Sequence, residues 1–220
     1  MHWFVDLDDT LVVGPITWAI NTVLPRLMEK YSLASSPTLL AAALREGQEK
    51  ASSGSGEAEL LDLFFDRLGW PAELKRELVQ EVFDNYQPSL FDDSLSFLTW
   101  LSDQQQSVFI LSNNDRAVKI AGMLGIAPYI QEYFTPALCA VPKGKPDRAL
   151  WDYVMSNFTI GSAVLVGDDP WSDGAFADVC NVPCYIVDRL NRFRDMVHYR
   201  CVTSLSDITL LDAHSDQPEH

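Results

Sequence analysis

Phe4-Val5-Asp6-Leu7-Asp8-Asp9-Thr10-Leu11 is the stretch from which the rest of the chain is read. It continues an apolar run that opens at Trp3, and the acids arrive where that run gives out. Along extended chain, residues two apart project to the same side, so Asp6 and Asp8 face one site at the C-terminal end of a strand. Ligands of open α/β sheets bind at that edge. Short apolar runs bounded by turn residues predict buried parallel strands at Trp3–Leu7, Val108–Leu111, Ala163–Val166 and Cys184–Val187. Helical spacing separates them. Phe97, Leu98 and Leu101 precede the second run, and Val118, Ala121 and Leu124 follow it. Leu150, Tyr153, Val154 and Phe158 precede the third, with Pro146 suited to the first helical position. This alternation predicts βαβ units and an α/β fold with a doubly wound parallel sheet.

From Val13 to Pro88 the signals are only helical. Ile16, Ile20, Val23, Leu24, Leu27 and Met28 form one stripe, in which Pro25 should kink or end the helix. Thr38–Ala51 is a second candidate, followed by an expected flexible loop, Ser52-Ser53-Gly54-Ser55-Gly56. Leu60, Leu61, Phe64, Phe65 and Leu68 mark a third helix, and Leu74, Leu78, Val82 and Phe83 a fourth. The expected division is therefore a core of residues 1–13 and 89–220 and an inserted all-helical domain of residues 14–88. Trp18, Phe64, Phe65, Trp70 and Tyr86 suit the interior of that insert as well as they suit ligand contacts. Ala213–His220 reads as a polar, mobile tail.

Composition bounds the partners. The 220 residues are 47% hydrophobic with 11 Gly and 12 Pro, which excludes global disorder and low-complexity classes. Sixteen basic against 31 acidic residues give a net charge of −15, a field that repels nucleic-acid phosphates and anionic membrane surfaces. Neither partner is expected, and an anionic substrate would need a metal or a local cationic pocket. Cys139, Cys180, Cys184 and Cys201 lack paired spacing and are expected as buried free thiols. The opening Met1–Asp6 has no cationic leader, and no run of about 18 apolar residues occurs, so a soluble, cytoplasmic protein is expected. The oligomeric state is not legible.

Other strand ends bring chemistry to the same edge. The second strand runs into Ser112-Asn113-Asn114-Asp115, and the third into Gly167-Asp168-Asp169-Pro170-Trp171-Ser172-Asp173. Between them, Gly144-Lys145-Pro146 places a cation just before an expected helix start. Taken singly, each is a turn, a cap or, for Lys145, a solvated surface charge. Their order and shared location at strand ends are not explained that way.

Asp6-x-Asp8-x-Thr10, Ser112 after an apolar strand, Lys145-Pro146, and Gly167-Asp168 with the later Asp173 resemble the four motifs of the haloacid dehalogenase (HAD) superfamily. The helical insert is similar to that of members carrying a helical cap after the first motif. The resemblance covers nearly the whole chain and implies a Rossmann-like core with that cap.

The residues suit phosphomonoester hydrolysis. A carboxylate such as Asp6 attacks phosphorus to give an aspartyl-phosphate, and Asp8 serves as acid for the leaving oxygen and then as base for water. A hard cation is needed to bring a dianion into an acidic pocket, and Mg²⁺ suits Asp6, the Asp8 carbonyl and Asp168. Ser112, the Asn113 backbone N–H and Lys145 would hold the transferring oxygens. In the family, Thr10 orders the first loop, and Asp173 supports or completes the metal shell. Asp9 stands where Gly is commonest and Asp169 where Ser is usual, and the spacing leaves Asp169 or Asp173 open as the next ligand. True dehalogenases lack an acid at Asp8, which favours phosphoryl transfer. A phosphomutase, or a non-catalytic phosphate-binding or receiver-like domain, is the alternative. Hinges near Val12–Pro15 and Pro88–Asp92 would let the insert close over the strand ends, which limits the substrate to a small phosphate ester.

Overall fold

The computed structural model describes residues 1–50, 57–193 and 195–215. The expected loop at 52–56 and the last five residues of the expected tail lie outside these. The chain forms two compact units: Met1–Val12, Ser89–Arg189 and Arg194–His220 make the first, and Val13–Pro88 with Leu190–Phe193 the second.

The first unit opens with β1 (His2–Val5); two-residue strands β2 (Val12–Val13) and β3 (Ser89–Leu90) fall where the chain passes between units. β4 (Ser107–Leu111), β5 (Glu132–Phe134), β6 (Ala163–Gly167), β7 (Cys184–Val187) and β8 (Arg200–Val202) complete the strands. Six of them form one sheet in the order β5-β4-β1-β6-β7-β8, with every pairing parallel. β4 flanks β1 on one side and β6 on the other, with Trp3 opposite both Val108 and Val164. β1 is thus the point at which the strand order reverses, where loops leave the sheet in opposite directions and a crevice opens. The expected strand Trp3–Leu7 is shorter than its apolar run. Asp6 still donates its N–H to the Val166 carbonyl (2.8 Å), but Leu11 and Val12 both donate to the Leu7 carbonyl (3.0 and 2.9 Å) and turn the chain into a loop. The edge strands β5 and β8 are three residues each and carry no pattern of their own.

The second unit is helical. α1 (Pro15–Trp18), a π-helical turn at Ala19–Val23 and α2 (Leu24–Lys30) follow one another directly. Pro25 has no N–H for the preceding turn, and the break expected there takes the form of that π-helical winding. α3 (Pro37–Lys50), α4 (Glu57–Leu68) and α5 (Ala72–Asn85) follow. Val23, Leu24, Leu44, Phe64, Phe65, Leu74 and Leu78 fill the interior. Trp18 and Trp70 pack against it, and Phe64 and Phe65 meet Trp70 edge-on. Phe83 is not part of this core: it is 85% exposed, because it falls off the face set by Leu74, Leu78 and Val82.

Helices cover both faces of the parallel sheet. α6 (Ser94–Asp103) and α7 (Ala117–Met123) pack Phe97, Leu101 and Ile120 against Trp3, Val5 and Ile110. α8 (Ala149–Asn157) and α9 (Ala175–Cys180) pack Trp151, Val154 and Phe176 against Phe4, Phe109 and Leu165 on the other face. The alternation of Trp3, Phe4 and Val5 between these two cores is the period of a strand buried on both faces. α10 (Leu205–Ser215) joins the first core through Leu205 and Ile208, so residues 213–215, expected in the tail, are helical. All four cysteines are free, with Cys139 and Cys180 buried and Cys184 and Cys201 half-buried. Among the described residues, no helix is long and apolar enough to cross a membrane.

Candidate active site

The loop after β1 is set by its backbone. Asp9 adopts a left-handed conformation (φ 57°) and donates its N–H to the Val12 carbonyl (2.7 Å). Asp tolerates that region better than most residues, which explains Asp where Gly is commonest. Thr10 is buried and its hydroxyl has no hydrogen-bond partner among the described residues. Its carbonyl accepts from the Arg189 guanidinium (2.8 Å), which also grips the Asp93 carboxylate (2.9 and 3.1 Å).

Lys145 is not a surface charge. It is 7% exposed, and its Nζ donates to Asp6 Oδ1 (2.8 Å) and Asp173 Oδ1 (2.5 Å). The other Asp173 oxygen accepts the N–H groups of Asp168 and Asp169 (3.1 Å each). A Cβ on Gly167 would lie 2.1 Å from Asp173 Cγ, so this approach requires glycine. Carboxylate oxygens of Asp6, Asp168 and Asp173, all buried, lie within 4.8 Å of one another. Asp169 turns away: its Oδ1 caps the π-helical turn Pro170–Gly174 by accepting from Trp171 and Ser172 (2.8 and 3.2 Å). Of the two positions the spacing leaves open, the structure therefore brings Asp173 to the cluster. The Asp8 carboxylate is not in that group.

The loop after β4 engages both neighbours through its amides. Ser112 is buried, and its Oγ accepts the Asn114 N–H (3.2 Å). The Asn113 side chain brackets the backbone of Lys145, accepting its N–H on Oδ1 (2.7 Å) and donating Nδ2 to its carbonyl (2.9 Å). A Cβ on Gly144 would sit 2.0 Å from that Oδ1. Asn114 donates Nδ2 to Asp8 Oδ2 (2.8 Å). Neither amide contact is legible locally, since each joins residues far apart in sequence; the expected Asn113 contribution was its backbone N–H. The expected helix start beside Lys145 is also displaced. Asp147 N–H closes a turn on the Gly144 carbonyl (2.9 Å), and the Asp147 carboxylate accepts the Ala149 N–H (2.9 Å), so α8 begins at Ala149 and Pro146 lies in the turn before it.

Burial pushes the Asp6 carboxyl up to about 7; Lys145 works against this, and Asp173 and Asp8 reinforce it. Burial likewise raises Asp8, with the Asn114 hydrogen bond and Lys145 opposing. At Lys145 burial favours the neutral form, but Asp173 and Asp6 overcome it and hold the ammonium charged. Lys145 thus pairs with two of the three buried carboxylates that converge here, Asp6 and Asp173. Three converging hard oxygen donors fit Mg²⁺.

No protein-family model matches the sequence, and no curated sequence does. Solved structures do match. The HAD-hydrolase YfnB from Bacillus subtilis, described bound to magnesium, aligns with a TM-score of 0.63 at 16% identity, over 96% of this chain and 97% of its own. A HAD phosphatase from Thermococcus onnurineus gives 0.59 at 17% identity over 96% of each chain. A 2-haloacid dehalogenase from Pseudomonas syringae pv. tomato gives 0.55 at 20% identity, over 97% of this chain and 98% of its own. At such identities the likeness establishes the fold: the chain folds as the HAD hydrolases do. Phosphatase and dehalogenase share that fold, so the side chains must decide the chemistry.

Proposed function

We propose that the chain is a Mg²⁺-dependent HAD phosphatase that hydrolyses a small phosphomonoester through an aspartyl-phosphate on Asp6. The observation that carries this reading is Asp8. Its carboxyl, raised by burial and held by Asn114, stands two residues beyond the nucleophile, where proton transfer to an ester oxygen is required and halide departure requires none. We read the helical unit as the cap domain of this fold.

Asp6, Asp168 and the Asp8 carbonyl would hold the Mg²⁺. When bound, the ion supplies positive charge against the phosphate oxygens and the ionised Asp6. Lys145 and the two N–H groups on Asp173 fix the remaining carboxylate. A carboxylate oxygen of Asp6 forms the bond to phosphorus as the bond to the ester oxygen breaks, and Asp8 delivers its proton to that oxygen. Ionised Asp8 then takes a proton from water, whose oxygen attacks phosphorus; the Asp6–phosphorus bond breaks, releasing phosphate and restoring the carboxylate. Ser112 Oγ, the Asn113 N–H and Lys145 Nζ bind the transferring oxygens.

A net charge of −15 disfavours nucleic acid and anionic membranes as partners, leaving small soluble esters. Four free thiols agree with a cytoplasmic setting. Incubation with p-nitrophenyl phosphate and a panel of phosphorylated metabolites tests the reading. Turnover that needs Mg²⁺ and stops in excess EDTA is the expected result, and full activity after exhaustive removal of metal contradicts it.

A further inference from the structure

We infer that Asn114 is a positioning residue that holds the Asp8 carboxyl as proton donor to the leaving oxygen, an inference that rests on the hydrolase reading above. Its amide has a determined orientation. Oδ1 accepts the Arg116 N–H (2.9 Å), so the donor end, Nδ2, is the end that faces Asp8 Oδ2 at 2.8 Å. The Asn114 backbone N–H is tied in turn to Ser112 Oγ (3.2 Å). The side chain is therefore anchored on its own loop with its donor end turned to Asp8. Asn113, beside it, turns both amide ends to the Lys145 backbone and not to Asp8.

Among the described residues, the bond from Asn114 is the only hydrogen bond to the Asp8 carboxylate. Asp6, by contrast, is held by Lys145. An amide N–H needs an acceptor, so the bond holds Oδ2 as the accepting oxygen and leaves Oδ1 as the one that can carry a proton to the ester. Asn114 thus selects which oxygen donates and stops the carboxyl from rotating. General acid help counts for little when the leaving group is already a stable anion and for much when it is basic. Loss of the positioning residue should therefore depend on the leaving group, whereas a loop that merely loosens would weaken turnover of every ester alike.

The test compares kcat/KM, which reports the first chemical step, for p-nitrophenyl, phenyl and alkyl phosphates with Mg²⁺. Wild type, Asn114→Ala and Asn114→Ser are measured side by side. Serine retains a short acceptor for the Arg116 N–H but has no N–H that reaches Asp8, so it separates loop capping from the hold on Asp8. The ratio of p-nitrophenyl to phenyl or alkyl efficiency should rise about tenfold or more in both variants. If Asn114→Ala does not fold, Asn114→Ser decides. An equal loss on every ester, or no loss, overturns the inference while leaving the hydrolase reading intact. A wild-type protein inert toward all of them with Mg²⁺ removes the hydrolase reading, and this inference with it.

Discussion

Lys145 and Asp6 stand 139 positions apart, yet the ammonium donates to a carboxylate oxygen of Asp6 across 2.8 Å with both side chains nearly closed to solvent. One end of the pair leaves the central strand of the sheet, and the other is held by the Asn113 amide from the neighbouring strand. The pairing opposes the burial that pushes the Asp6 carboxyl up.

Removing the cation should expose that balance. Lys145→Met takes away the main influence opposing burial at Asp6, so the Asp6 carboxyl moves above about 7 and the acidic limb of the kcat/KM profile moves to higher pH. Efficiency at neutral pH should fall at least about a hundredfold, as for loss of a preorganised donor. Asp173 also loses its ammonium, and the uncompensated buried charge should lower stability by about 3 kcal/mol in urea unfolding. An unmoved acidic limb would contradict the pairing's role.

Proton and metal binding should compete. Asp6 titrates near 7 in the folded chain against 3.8 ordinarily, so between those values the folded state binds more protons than the unfolded state. The metal-free protein therefore loses stability as pH rises through that window. Mg²⁺ needs the ionised form, so the rise in Tm on adding Mg²⁺ should be larger at pH 8 than at pH 5. Thermal melts at the two pH values check this, and equal increments would count against Asp6 as a ligand.

Two glycines should respond oppositely to alanine. At Gly144 a Cβ would lie 2.0 Å from Asn113 Oδ1, so Gly144→Ala should dislodge the bracket on Lys145 and cut kcat/KM about tenfold or more. At Gly122, within α7, nothing lies within 4 Å of the added carbon. Gly122→Ala should stabilise by about 0.5–1 kcal/mol without touching turnover.

Two phenylalanines of the helical unit separate core from surface. Phe64 is fully buried and Phe83 is 85% exposed. Phe64→Ala should cost about 3–5 kcal/mol and Phe83→Ala less than about 0.5 kcal/mol. Chemical denaturation of both variants distinguishes them.

What the sequence discloses is what is local. The apolar runs at β1, β4, β6 and β7 are continuous because those strands are buried on both faces, and the acids at their ends mark the edge where a site forms. Edge strands β5 and β8, three residues each, are too short to carry a pattern, and the Leu190–Phe193 segment joins the helical unit without any local period. Asp169 and Asp173 are both acids in one turn. Only its winding shows that Asp169 caps the turn while Asp173 meets Lys145. The amides of Asn113 and Asn114 read as turn residues because their partners, Lys145 and Asp8, lie 32 and 106 positions away.

The most direct test of the covalent mechanism is borohydride trapping of the acyl-phosphate. Protein turning over p-nitrophenyl phosphate with Mg²⁺ is quenched and reduced, and the peptide containing residue 6 is sequenced by mass spectrometry. An acyl-phosphate on Asp6 is reduced to the alcohol, so the expected result is that reduced side chain at position 6, absent without substrate and absent in an inactive Asp6→Asn variant. Turnover that leaves the Asp6 side chain unreduced, or an Asp6→Asn variant that works at the wild-type rate, would contradict the assignment of Asp6 as nucleophile.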